Sequence, residues 1–162
     1  MESCGGTHYW ARYAKHAGRH VKSINARQVK PFRQGQKTDA NDALAISVAA
    51  RQPHIKESRL LSTQEQSLQG VECMRDLLVK QKVSLSNQLR ALLLEQGHVI
   101  AQGVARLIEA IPELLEDAEN ELTFTFRFSI QVIFRRFVNT IEEAKLIVGK
   151  LREIIKQDET CR

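Results

Sequence analysis

A chain of 162 residues suits one domain, or one domain with a helical extension. Its 43% hydrophobic content is enough for a core, Gly and Pro are too scarce for long low-complexity tracts, and no window holds the roughly 20 apolar residues that span a membrane. The net charge of +5 is lopsided: residues 1–62 carry +7, residues 63–162 carry −2, and the eight basic residues between Ser3 and Thr38 have no acid among them.

Met1 to Gly6 lacks the basic and apolar regions of a secretory signal. Gly5-Gly6 breaks a very short opening segment. Thr7 is placed to cap a helix whose apolar residues Tyr9, Tyr13 and Ala17 recur every four positions, and Gly18 suits the C′ position that ends it. Val21 to Asn25 reads as a short strand with imperfect alternation. Val29-Lys30-Pro31-Phe32 reads as extended, because Pro31 disfavours helix at Lys30. After a loop over 33–37, Thr38 or Asp39 caps an Ala-rich helix from about Ala40 to Arg51, stopped before Pro53. Strand, helix, strand, helix is the order of an α/β piece, here placed over residues 1–61.

Residues 62–162 read as a helical region with coiled-coil character. Ser62 and Thr63 each have Glu65 or Gln66 three residues on, the capping-box spacing. Val71, Leu78, Leu85, Leu92 and Val99 repeat every seven residues, while the seam positions between them are mixed. Gly97 and Gly103 interrupt, and Pro112 ends or kinks a short middle helix. In the last helix Ile130, Phe134, Phe137, Ile141, Ala144, Val148, Leu151 and Ile155 alternate steps of four and three, the period of a coiled-coil seam. Long helices are expected over about 62–97 and 125–157, paired within one chain, between two chains, or both. The fold class is therefore an α-rich α/β protein.

Cys4, Cys73 and Cys161 are few, odd in number and far apart, which suits reduced thiols in a cytoplasmic protein. The acid-free segment points to phosphate backbones, with Arg12, Lys15, Arg19, Lys22, Arg27, Lys30, Arg33 and Lys37 as contributors; a solvated basic surface would look the same. Asp39 and Asp42, three apart at a helix start, can present two carboxylates to one side, as clusters that hold Mg²⁺ do, or can simply favour the helix start, with Asp39 at the N-cap and Asp42 at N3. Cys4, His8, His16 and His20 loosely follow a zinc-ligand spacing. Tyr9 and Trp10 suit base stacking or, more simply, core packing.

The run Met1-Glu2-Ser3-Cys4-Gly5-Gly6-Thr7-His8-Tyr9-Trp10-Ala11-Arg12 resembles an opening block of the DEDD-type insertion-sequence transposases, the IS one-ten and IS eleven-eleven family related to the Piv and MooV invertases. Val29-Lys30-Pro31-Phe32, Lys37-Thr38-Asp39-Ala40-Asn41-Asp42-Ala43 and Asn87-Gln88-Leu89-Arg90-Ala91-Leu92-Leu93, with Glu95 and Gly97, are similar in order and spacing. The resemblance implies a partial RuvC-like domain of RNase-H type and four metal-binding acids. Glu2 matches the second, Asp39 the third and Asp42 the fourth. The first Asp is expected upstream of Met1, and a serine-bearing domain after Arg162, so the chain is expected to be cut at both ends and inactive alone. DNA, a structured bridge RNA, Mg²⁺ and homo-oligomers formed through the helices are the implied partners. A non-catalytic dimerisation or RNA-binding module is the alternative.

Overall fold

The structure is a computed structural model and describes residues 1–157, so Cys161 lies outside the described residues. The chain divides into two compact units, Met1–Ser67 and the part from Leu68 on.

The first unit contains β1 (Glu2–Ser3), α1 (Thr7–His16), β2 (Ile24–Asn25), the four-residue α2 (Ala26–Val29), a 3-10 turn (Lys30–Phe32) and α3 (Asp39–Arg51). β1 and β2 pair in parallel, with Glu2 opposite Ile24 and Ser3 opposite Asn25. Parallel neighbours cannot be joined by a hairpin, so α1 serves as the crossover between them. Gly18 ends α1 as the spacing predicts. It holds φ +70°, its N–H reaches the Lys15 carbonyl, and the Arg19 N–H reaches that of Ala14, the paired bonds of a Schellman turn. Thr7 does not cap α1. Gly6 holds that position at φ +82°, and Thr7 is the first helical residue. Its hydroxyl instead accepts from the Cys4 N–H at 2.7 Å and lies within donating distance of the Glu2 and Cys4 carbonyls, tying the end of β1 to the helix start.

Residues 29–32 are not extended. The Asn25 side chain accepts from the Arg27 N–H at 2.9 Å and starts α2, and Pro31 sits in the first turn of the 3-10 segment, where its missing N–H costs nothing. Lys30 takes helical angles ahead of proline because Val29 is buried and Phe32 packs on the same cluster, formed by Ile24, Ala45, Ala49 and Ile55. The segment after α3 is fastened back onto the unit: the Ser58 N–H bonds the Ser23 carbonyl, and Leu61 is held by His8 and Arg12.

Helix α4 (Thr63–Leu94) starts in the first unit and continues into the second, which adds α5 (Val104–Glu116) and α6 (Phe124–Gln157). Ser62 and Glu65 make the reciprocal capping box at its start. Gly97, at φ +81°, closes its far end with a second Schellman turn, and Arg90 reaches from α4 to the carbonyls of Ala101 and Gly103. Leu89 and Leu93 of α4, Leu107 and Ile111 of α5, and Ile130 and Phe137 of α6 form the core. Gln81 of α4 lines a cavity with Val132, Arg136 and Thr140 of α6, and both helices contribute to this core, so α4 and α6 pack together within one chain. The α6 seam faces inward as the heptads require, except Ile155, which is exposed. Pro112 does not end α5; burial of Ile111 and packing of Leu114 and Leu115 carry the helix to Glu116 despite the lost backbone bond. Among the described residues no helix is long and apolar enough to cross a membrane.

Candidate functional site

Glu2 is placed by the short parallel sheet. The terminal amine of Met1 donates to the Lys22 carbonyl at 2.7 Å, the Ile24 N–H reaches the Met1 carbonyl at 3.0 Å, and the hydroxyls of Ser3 and Ser23 meet at 2.8 Å. Ladder bonds and side chains thus hold the residues on both sides of Glu2.

The acids of α3 are placed by its cap. Thr38, not Asp39, is the N-cap, and its hydroxyl accepts from the Asn41 N–H at 3.3 Å. The Asn41 side chain donates to the Gln36 carbonyl at 2.8 Å, which braces the preceding loop. Asp39 is therefore the first helical residue and Asp42 the fourth. Asp39 is exposed; Asp42 is half-buried, with its carboxylate 3.6 Å from the Arg33 guanidinium.

Glu2 and Asp42 line one cavity of about 290 Å³ with Cys4, Ala26, Val29, Lys30, Arg33 and Lys37. Two carboxylates and three cations share this space, and Asp39 is not part of the lining. Hard carboxylate oxygens are the right donors for Mg²⁺. Their arrangement here is not: among the described residues no group of three or more His, Cys, Asp or Glu side chains is gathered to hold a metal ion, and Arg33 already faces Asp42. The cavity's excess of cations suits a phosphate oxygen better than a divalent ion. Cys4, His8, His16 and His20 do not gather either; the His8 ring accepts from the Leu61 N–H at 3.2 Å.

The eight basic residues fall into two groups. Arg12 is spent internally, on the Leu61 carbonyl and the Gln66 side chain, both at 2.9 Å. Lys22 reaches the Ala50 carbonyl at 3.3 Å and Glu57 at 3.8 Å, and Arg33 faces Asp42. Lys15, Arg19, Arg27, Lys30 and Lys37 are exposed and make no ion pair among the described residues. Sequence spacing gave no sign of the Arg33–Asp42 pair, because the two are brought together by the loop before α3.

A family model described as a transposase, of the DEDD type of IS110 elements, matches residues 1–97, the stretch that contains this cavity. The chain belongs to that family. It is 30% identical over 162 residues to the transposase for insertion sequence element IS1111A of Coxiella burnetii, covering all of this chain and 44% of that protein. To the transposase for insertion sequence element IS1328 of Yersinia enterocolitica it is 30% identical over 164 residues, covering 100% of this chain and 48% of the relative. A probable family 20 transposase of Pseudomonas aeruginosa is 40% identical over 97 residues, 60% of this chain and 29% of that protein. The chain thus spans less than half the length of these transposases. No solved structure matches it.

Proposed function

We propose that this chain is the part of an insertion-sequence transposase that holds the phosphate backbone of DNA beside the family's acids. The observation that carries the reading is the shared cavity: Lys30, Arg33 and Lys37 converge on the space lined by Glu2 and Asp42. A strand drawn there by the cations would place a phosphodiester against the carboxylates. In this reading Glu2, Asp39 and Asp42 are the second, third and fourth acids of a DEDD set, and the full-length enzyme exchanges DNA strands with a divalent metal, Mg²⁺ by its preference for oxygen donors. The parallel β1–α1–β2 crossover followed by α3 supports a RuvC-like α/β piece over residues 1–61, with the described residues from 62 on as a helical region. Structured RNA is a second partner for the exposed cations, and exposed Leu77 and Val83 of α4 and Leu146 of α6 support self-association through the helices.

The test is binding of a labelled duplex across a salt series. Each phosphate contact releases counterions, so affinity should fall steeply as salt rises. Replacing Lys30 and Lys37 with alanine should make the slope of log K against log salt shallower by about one unit per residue. Affinity that is flat from low to moderate salt, or unchanged in the double variant, would sink this reading.

A further inference from the structure

The helix α1 carries its large aromatic residues on the outside. Tyr9, Trp10 and Tyr13 are 57%, 58% and 62% exposed, while the same helix buries only Thr7 and Ala11. Sequence reasoning favoured core packing for Tyr9 and Trp10, and the structure turns both, with Tyr13, to solvent. They are not three independent side chains. Trp10 stands edge-on to Tyr9 at 5.3 Å between centroids and to Tyr13 at 5.9 Å, with planes 79° and 81° apart. The rings therefore brace one another, with Trp10 also lying over Gly6, where an added Cβ would come 3.6 Å from its Cδ1. A braced aromatic ridge offers flat faces at little entropic cost.

We propose that Tyr9, Trp10 and Tyr13 form a stacking platform for unpaired bases of a nucleic acid strand, an inference that rests on the phosphate-binding reading above. Charge decides the occupant. No acid stands between Ser3 and Thr38; His16 follows Tyr13 by one helical turn, and exposed Arg19 and His20 come directly after α1 ends. An aromatic ridge carried by a basic stretch of sequence without acids complements a chain whose backbone is anionic and whose bases each present a π face. Duplex bases are already stacked and shield their faces, so the ridge selects single-stranded, flipped or looped nucleotides.

The chain has a single tryptophan, so its fluorescence reports this ridge alone. The intact chain would be titrated with a single-stranded oligothymidylate of about a dozen nucleotides and with an abasic strand of equal phosphate count. The base-bearing strand should quench Trp10 and bind roughly tenfold more tightly than the abasic one. By anisotropy of the labelled strands, Trp10→Leu and Tyr13→Leu should remove most of that advantage and leave abasic binding unchanged, whereas Trp10→Phe should keep most of it. Equal binding of the two strands, with the leucine variants altering neither, overturns the platform while leaving phosphate binding in place. If neither strand binds, both readings fall. A concentration-dependent shift of Trp10 emission without nucleic acid would show a second copy covering the ridge and would also overturn the proposal.

Discussion

Arg127 sits at the start of α6 and points back at the end of α5. Its guanidinium donates to the carbonyls of Leu115 and Asp117 at 2.7 Å, Leu122 at 3.0 Å and Leu114 at 3.3 Å, and to the Asn120 side chain. Leu114 and Leu115 lie in the last turn of α5, where carbonyls have no helical partner, so one side chain satisfies a helix end and a turn together. Arg127→Ala should cost about 2–4 kcal/mol, since several partly buried acceptors lose a charged donor at once; urea unfolding would measure it. Arg127→Lys should recover little, because an ammonium cannot reproduce the planar fan of donors. A second residue-scale expectation concerns pH. The Ser62 backbone N–H, then the Ser62 hydroxyl and the nearby Arg59, hold the Glu65 carboxyl below its ordinary value of 4.5. A lowered folded pKa means the capping box stabilises above the unfolded value and fades as pH falls through the folded one. The stability gap between the native chain and Ser62→Ala should therefore narrow on acidification below about pH 4.5, and a gap that widened would contradict the assignment.

Among the elements, α6 separates what its seam does from what its outer face does. Phe137 is fully buried in the core that α6 shares with α4 and α5, and Phe137→Ala should cost about 3–5 kcal/mol, whereas Leu146→Ala, on an exposed face, should change urea stability by less than about 0.5 kcal/mol. The α6 seam was legible in sequence because one period of 3.5 residues is obeyed for several turns, and burial of a helix stripe is the same wherever the partner lies. Gly18 and Gly97 were legible for a different reason. Their turns require positive φ, which excludes most other residues. Gly97→Ala should accordingly destabilise by about 1 kcal/mol. The ends of α1 show where such reading stops. A four-residue apolar spacing names a face but not the direction it looks, and α1 is held by small Ala11 and by Thr7 while its rings face out. The 29–32 segment failed differently: the local preference against helix before proline lost to burial of Val29 and Phe32.

For the whole molecule, the question is whether the chain performs strand transfer or only holds nucleic acid. Family resemblance names Glu2, Asp39 and Asp42 as candidate acids by residue type and says nothing of their relation in space. That relation depends on the loop that delivers Arg33 to Asp42 and on the sheet that delivers Glu2. Two acids share a cavity, the third lies outside its lining, and an arginine faces one of the pair. Catalytic groups must be fixed to within a fraction of an ångström, and a displaced ligand costs large factors in rate. This chain with Mg²⁺ and a duplex carrying insertion-sequence ends should therefore give no cleavage or strand transfer above a protein-free control, while still binding the duplex in a salt-dependent way. The informative comparison is a full-length relative such as the Coxiella burnetii transposase, assayed with its residues aligned to Glu2, Asp39 and Asp42 changed singly to alanine. Loss of strand transfer in all three, with DNA binding retained, would support these residues as catalytic acids that need more of the protein to assemble. Activity from this chain alone that disappears in Asp42→Asn would show that the cavity is already a working site and that Arg33 yields it to metal.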